Sequence, residues 1–538
     1  MKKWFAAKSI SVSLFTLLIF ISLLYSALFI VAPIILDEII NLQVTPPARL
    51  LIIFFVALIS GHLIQTASVY LKNALVEKYR IHEVTRLFEK VFNLNYDFIV
   101  EKEPTYLVER VASSIEELSR FFYEALPGII TNLIMVIAIL VMVFAINPII
   151  AVMMLVTLPL NYLGFYFLNK ELVKKSSLMN SVIPKEYKDM YQIVGQVDFI
   201  KQSADHSPTL LLLKKHMTVV EKLTKSVNNF ANGISTALSA LNLIIRNSIL
   251  VLLAYLMLSG SVLIGDVFFI TIALTYFVTA SNAIVSFNVN MNGLTAAQQF
   301  IAEVHANQEK TGGIKIESID EIDMRHMDIR IGDLQLLHDV NITLKKGDVV
   351  GIMGPSGSGK STLVKALLKY RETEGIFING VPLGEIENRS YRDRVSFYSQ
   401  NAPIISATLL ENLNFGRVPE KADEYARLSI LKKFVDADST LQTAIVENGN
   451  NLSGGDKQRI AIARLYFEDS DVVVLDEPTN SLDKDTEEEL LKFMLAPNKN
   501  KITILITHTK EHLRYCTRSF VIRTGSLEEI DKKSVPLN

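Results

Sequence analysis

Gly354-Pro355-Ser356-Gly357-Ser358-Gly359-Lys360-Ser361-Thr362 combines residue types and a spacing suited to holding phosphate. It follows a short apolar run, Val349–Met353, and precedes a helix-like run, Leu363–Tyr370. In a strand, glycine-rich turn and helix, backbone N–H groups can turn inward around an anion, and the helix N-terminus adds positive potential. Lys360 is placed to reach the β- and γ-phosphates, and the Ser361 hydroxyl to ligate Mg2+. A flexible structural turn would also be rich in Gly and Ser, but it would not need Lys-Ser directly after its last glycine. The stretch predicts a nucleoside-triphosphate site.

Val472-Val473-Val474-Leu475-Asp476-Glu477 is an apolar run ending in two acids. A strand buried on both faces reads this way, and ligands sit at the C-terminal ends of such strands. Alone, two acids after a strand could equally open a helix. Downstream of a phosphate loop, Asp476 is expected to hold Mg2+ through water and Glu477 to polarise the attacking water. Ser453-Gly454-Gly455, opening a helix expected over Lys457–Leu465, makes a second anion site on the same domain.

A chain of 538 residues should hold more than one core, since single cores rarely grow beyond roughly 250–300 residues. Apolar residues make up 50% and mean hydropathy is +0.30, high for a soluble protein. The formal charge of −2 argues against general nucleic-acid binding. Cys516 is the only cysteine, which excludes an internal disulfide and a cysteine metal cluster.

The apolar residues concentrate before about residue 290, in runs at Ile10–Leu36, Leu50–Leu71, Ile129–Ala145, Ile149–Leu168, Leu238–Leu258 and Val267–Phe287. A signal peptide also has a basic start, but its apolar region is only about 7–15 residues long, whereas a bilayer takes about 20. Six spans are expected in a lipid bilayer. The loops after the second and fourth runs are long and rich in Lys and Arg, while Asp37–Pro47, Asn147-Pro148 and Ser259–Asp266 carry no basic residue. The positive-inside rule therefore places both long loops and both termini in the cytoplasm. Helix-forming stretches such as Ile81–Asn93 and Glu186–Val194 would carry these loops well past the bilayer surface. The polar stretch ending in Gly312-Gly313 marks a boundary. The expected organisation is a six-span membrane domain over 1–304, a linker over 305–314 and an α/β domain with a mostly parallel sheet over 315–538.

In chain order, the phosphate loop is followed by a lone glutamine, Gln400, then Asn451-Leu452-Ser453-Gly454-Gly455-Asp456, the acid pair, Ser481-Leu482-Asp483, and His508 after the apolar strand Ile502–Thr507. That series resembles the nucleotide-binding domain of an ATP-binding cassette (ABC) protein. The whole resembles an ABC exporter half-transporter of the peptide or multidrug type: a multi-pass α-helical membrane domain fused to a C-terminal P-loop NTPase domain. The resemblance implies ATP and Mg2+ as ligands and a dimer, favoured as a homodimer, as the working unit. It implies that Gln400 senses Mg2+ and touches the membrane domain, and that His508 contacts the γ-phosphate. Ser453 and Gly455 would close on ATP held by the other protomer, and Asp483 would cross the dimer interface. There are departures. The family usually stacks an aromatic residue on adenine, yet none stands around Ile329-Arg330-Ile331-Gly332-Asp333. Asp456 replaces the commoner glutamine, and Val446-Glu447-Asn448-Gly449 keeps only part of a Gly-Glu-x-Gly stretch.

Arg246 lies about midway along the fifth run. A basic residue at that depth costs about 2.5–3.5 kcal/mol on insertion scales and faces a cavity or a partner. Either Arg246 receives an anionic group on the cargo, or it pairs with a carboxylate or carbonyl on a neighbouring helix. The expected cargo is a small peptide or amphipathic metabolite, with a lipid or a drug as alternatives, and an ATP-gated channel or sensor as the reading outside transport. The Lys-, Ile- and Asn-rich composition, with no organellar presequence, points to a bacterial plasma (inner) membrane.

Overall fold

The computed structural model describes residues 12–41, 48–331, 334–399, 403–414, 429–431, 434, 441–446, 449–466, 470–479, 484–495 and 500–530. The chain divides into two compact units, one of residues 1–92 and 104–306, the other of residues 93–103 and 307–538.

The first unit is helical. Its main helices are α1 (Val12–Asn41), α2 (Ala48–Phe92), α4 (Pro104–Arg120), α5 (Leu126–Ile146), α6 (Pro148–Gly195), α8 (Ser207–Leu258) and α9 (Ile264–Ala306), with the short α7 (Val197–Gln202) between α6 and α8. Each apolar run of the sequence falls on one of these helices. Among the described residues, length and composition alone make five helices able to cross a membrane, and Pro148–Leu163 adds a shorter apolar stretch at the start of α6. The 52 residues of α8 rise about 78 Å at 1.5 Å per residue, more than twice a hydrocarbon core of about 30 Å. The stretches expected to carry the loops outward are indeed continuous helix, Ile81–Phe92 in α2 and Glu186–Val194 in α6.

The turn between α5 and α6 is set locally. Asn147 accepts hydrogen bonds from the N–H groups of Ile149 and Ile150, and Pro148 occupies the first helical position, where no N–H is needed. Behind that turn Val143, Ile150, Met154, Ile249, Leu253, Ile270 and Phe277 form a fully buried cluster. Between α4 and α5 the helix widens to a π turn over Phe121–Ala125, with Phe121, Phe122 and Tyr123 buried.

The second unit contains two sheets. One has the order β10-β9-β3-β8-β7-β6, from strands β3 (Val349–Met353), β6 (Val395–Tyr398), β7 (Val472–Asp476), β8 (Ile502–Thr507), β9 (Arg518–Arg523) and β10 (Ser526–Glu529). It is parallel except for its β10 edge. The other is antiparallel, in the order β2-β1-β4-β5, from β1 (Glu321–Ile331), β2 (Leu334–Lys345), β4 (Ile376–Ile378) and β5 (Val381–Pro382). The expectation of a mostly parallel sheet thus holds for the strands that carry the phosphate loop, and a separate antiparallel sheet stands beside them. Gly351 lies in the centre of β3, where a Cβ would come within 2.5 Å of Leu513 Cδ2 and 2.9 Å of Cys516 Sγ.

Residues 93–103 leave the helical unit and pack in the second one. Asn95 N–H donates to the Asn307 carbonyl at 2.9 Å, Glu309 N–H to that of Asn93 at 2.8 Å, and Leu94 is 1% exposed. The helix α3 (Tyr96–Lys102) places the Tyr96 ring on that of Tyr370, with centroids 5.0 Å apart and planes within 8°.

Candidate active site

The phosphate loop joins β3 to helix α10 (Lys360–Leu367), which begins three residues earlier than the apolar run suggested. Gly357 (φ 80°) and Gly359 (φ 96°) are left-handed, a backbone state that costs other L residues about 1–2 kcal/mol. The Gly359 carbonyl accepts from the N–H groups of Thr362 and Leu363, which closes the first turn of α10. Lys360 is buried, and its Nζ donates to the carbonyls of Gly354 (2.7 Å) and Pro355 (2.9 Å), so the ammonium lies across the loop. Ser356, Gly357 and Ser361 are exposed, as a loop that admits a ligand requires. The Ser358 Oγ is buried and makes no hydrogen bond.

The acid pair lies at the C-terminal end of β7, two strands from β3. Burial, and then the neighbouring Glu477, raise the Asp476 carboxyl above the usual range, and Lys360 pulls it partly back. Glu477 has φ 47°, left-handed for a residue with a Cβ, and its N–H donates to the Ile506 carbonyl on β8 at 3.0 Å. Strain of this kind is held where surrounding structure over-determines the backbone. His508, just beyond β8, brings Nδ1 to 3.4 Å from Glu477 Oε1 and is otherwise largely exposed. The fold therefore gathers Lys360, Asp476, Glu477 and His508 from three adjacent parallel strands into one site.

Ser453-Gly454-Gly455 opens helix α13 (Gly454–Tyr466). Asp456, read from the sequence as a departure, has a structural role here. Ser453 N–H donates to Asp456 Oδ2 at 3.0 Å and Asp456 N–H to Ser453 Oγ at 3.2 Å, a reciprocal cap of the helix N-terminus. The motif thus has a fixed start, with the N–H groups and partial positive charge of a helix end behind it. Asn451 braces the preceding loop, accepting from Val446 N–H and donating to the Ala444 carbonyl. Gln400, Asp483 and, in the partial Gly-Glu-x-Gly stretch, Glu447 lie outside the described residues, as do Gly332 and Asp333.

Arg246 is exposed on α8 and makes no hydrogen bond or ion pair among the described residues. One turn before it, buried Asn242 accepts from Asn161 Nδ2 of α6 at 2.8 Å and donates to Asn282 Oδ1 of α9 at 3.4 Å. The Asn161 Oδ1 is buried without a partner. Sequence reasoning did not single out this three-helix polar junction, nor the buried His512 and the part-buried Glu487. A histidine four residues after His508 is a weak local signal, and nothing in the pattern ties it to residue 487.

Residues 337–480 match the ABC transporter family and residues 12–281 the ABC transporter transmembrane region. The chain is 33% identical over 233 residues to a probable ABC transporter ATP-binding/permease protein of Haemophilus influenzae, a match spanning 42% of each chain. It is 26% identical over 464 residues to an ATP-dependent lipid A-core flippase of Legionella pneumophila strain Paris, covering 82% of this chain and 77% of the relative. In three dimensions it superposes on a bacterial Atm1-family ABC exporter with ATP bound, at a TM-score of 0.85 and 17% identity, over 97% of this chain and 95% of the other. At that identity the likeness is one of fold.

Proposed function

The chain belongs to the ABC transporter family, in which ATP hydrolysis is coupled to transport, and we propose that it is a homodimeric exporter of an amphipathic, anionic cargo. The approach of His508 to Glu477 at the end of the parallel strands carries the hydrolytic half of this reading. The loop N–H groups and Lys360 hold the β- and γ-phosphates. Ser361 and Asp476 fit a hard cation: one is an exposed hydroxyl at the helix start, the other a carboxyl in a low-dielectric site that gains from a compensating charge. Mg2+ bound there would neutralise charge on the phosphate oxygens. Glu477 orients the attacking water and takes its proton on the carboxylate, and His508 holds both that carboxylate and the γ-phosphate. Ser453 and Gly455 present the start of α13 to ATP on a second protomer. The roles of Gln400, at the cation and the membrane domain, and Asp483, across the interface, rest on the family resemblance.

A dimer is also supported by what the single chain leaves uncovered. Helix α3 is packed within its own chain's second unit, whereas α7 exposes Val197 (55%) and Phe199 (70%), and the following α8 exposes Leu211 (69%). A second copy's ATP-binding unit is the surface we assign to it. We place the protein in a bacterial inner membrane with both termini cytoplasmic, on the loop charges. The linker is assigned to 305–314.

For the cargo, an exposed, unpaired Arg246 at span depth, beside the Asn161–Asn242–Asn282 junction, suits an anionic group on an amphipathic molecule. The names of the flippase relatives favour a lipid over the small peptide or metabolite also expected from the sequence. The test is ATPase activity in vesicles with and without anionic lipid, for the native chain and Arg246→Ala. Stimulation by the lipid should be lost in the variant with basal turnover kept, and a variant stimulated fully would sink the assignment. Comparing culture medium and membranes of cells carrying native protein or Glu477→Gln by mass spectrometry then identifies the cargo. Flux that persists in the trapped Glu477→Gln dimer would indicate a channel instead.

A further inference from the structure

Glu477 and His508 sit on neighbouring strands, and an exposed contact of 3.4 Å is too weak to fix their spacing by itself. Behind them, three buried polar side chains and the part-buried Glu487 complete a circuit. Thr479, two residues after Glu477, donates from Oγ1 to Glu487 Oε1 at 3.0 Å. The same oxygen lies 2.7 Å from His512 Nε2, and His512 Nδ1 lies 2.8 Å from Thr507 Oγ1. Thr507 precedes His508 directly and accepts from Thr509 N–H at 3.0 Å, so its hydroxyl bridges across His508. Thr479, Thr507 and His512 are 6%, 1% and 5% exposed.

One proton arrangement satisfies these four contacts, and the Thr507 oxygen also lies 3.5 Å from the Thr509 carbonyl. The Thr479 hydroxyl and His512 Nε2–H donate to the Glu487 carboxylate, the Thr507 hydroxyl donates to His512 Nδ1, and Thr509 N–H donates to Thr507 Oγ1. Helix α14 (Lys484–Met494) supplies Glu487, and the 3-10 turn Lys510–Tyr515 supplies His512. A circuit with each member satisfied is stiff, because displacing Thr479, Thr507 or His512 leaves a buried polar group unpaired.

We propose that His512 and Glu487 are positioning residues for ATP hydrolysis: the hydrogen-bonded circuit Thr479–Glu487–His512–Thr507 sets the distance and angle between Glu477 and His508. The inference rests on the hydrolytic reading above. His512 touches neither nucleotide nor water. It acts by holding Thr507, and through Thr507 the backbone of His508, against the segment that carries Glu477.

The test uses the full chain in nanodiscs and compares native protein with His512→Phe, His512→Gln, Thr507→Val and Glu477→Gln. Phe fills the site without either hydrogen bond, Gln keeps a donor and an acceptor, and Val removes the Thr507 hydroxyl at constant shape. The expected result is a kcat lower by about 10- to 100-fold in His512→Phe and Thr507→Val, the scale of a misplacement of about 1 Å or less at a reacting centre. KM for ATP and ATP-driven closure in a Glu477→Gln background should be unchanged, and His512→Gln should recover most of kcat. A merely structural His512 would lower the unfolding temperature and raise KM together with the kcat loss, and Gln would not rescue it. That pattern, or a native kcat in both His512→Phe and Thr507→Val, overturns the proposal. Should His512→Phe fail to fold, Thr507→Val alone decides. Native protein that does not hydrolyse ATP, or Glu477→Gln that does, would instead refute the hydrolytic reading and leave a distinct signature.

Discussion

Glu477 is held at φ 47°, and that strain can be measured separately from its chemistry. Glu477→Ala removes the carboxylate and keeps the Cβ, whereas Glu477→Gly removes both. In the left-handed region a Cβ costs about 1–2 kcal/mol. Glycine forfeits about 0.4–1 kcal/mol of that advantage through the greater freedom of its unfolded chain. The balance favours Gly over Ala by roughly 0.5–1 kcal/mol, the reverse of the order at an ordinary strand or helix position. For a unit of this size that corresponds to a rise of about 1–4 °C in the unfolding transition of the ATP-binding unit. Both variants should lose about 10²–10⁴-fold in ATP turnover, the usual contribution of a positioned general base. The assay is scanning calorimetry of the full chain in detergent, with ATPase rates taken on the same samples. Glycine no more stable than alanine at 477 would show that the left-handed backbone carries no strain and would refute the reasoning.

Two further outcomes are expected. Burial and Glu477 hold the Asp476 carboxyl above the usual range, so it keeps its proton to a higher pH than an ordinary aspartate, near 3.9. A cation needs the deprotonated form. Acidification should therefore raise the Mg2+ concentration required for half-maximal ATPase, beginning at a higher pH than an unshifted aspartate would give, and excess Mg2+ should restore the rate. A Mg2+ requirement that stays flat across that range would contradict the shift. Tyr96 stacks on Tyr370, with the Lys365 ammonium 5.3 Å from the ring centre. Such an aromatic pair contributes about 0.5–1.5 kcal/mol beyond its area. Tyr96→Ala should keep basal ATPase and lose stimulation by cargo, while Tyr96→Phe keeps both, and full stimulation in the alanine variant would rule the role out.

The phosphate loop and the acid pair were legible because their chemistry is written locally. Glycines occupy the left-handed positions, Lys360-Ser361 follows directly, and the Val472–Leu475 run needs burial on both faces. The long helices were legible because polar, helix-forming stretches continue the apolar runs without a break. What was missed is non-local or conditional on geometry. The pairing of β1 with β2 shifts register at Met324, Met327 and Ile329, which blurs the period-two alternation that would announce an antiparallel sheet. Asp456 was read against a family pattern although Ser-x-x-Asp at a helix start is a capping signal by itself. The left-handed Glu477 has no glycine or asparagine to betray it. The His512–Glu487 pair joins a helix and a turn 25 residues apart, a distance over which side-chain identity predicts nothing.

Residues 93–103 pack on surfaces the ribosome has not yet made. Arg371, which pairs with Asp97 at 3.0 Å, follows it by 274 residues. At about 5–20 residues per second, Tyr96 and Asp97 wait roughly 15–55 s between their own synthesis and that of Tyr370 and Arg371, on which they dock. Throughout that interval the segment stands without its receptor. Synthesis order therefore makes the helical unit complete first and leaves this segment to dock only once residue 371 has been made. Slowing translation between residues 104 and 371 would lengthen its exposure in direct proportion.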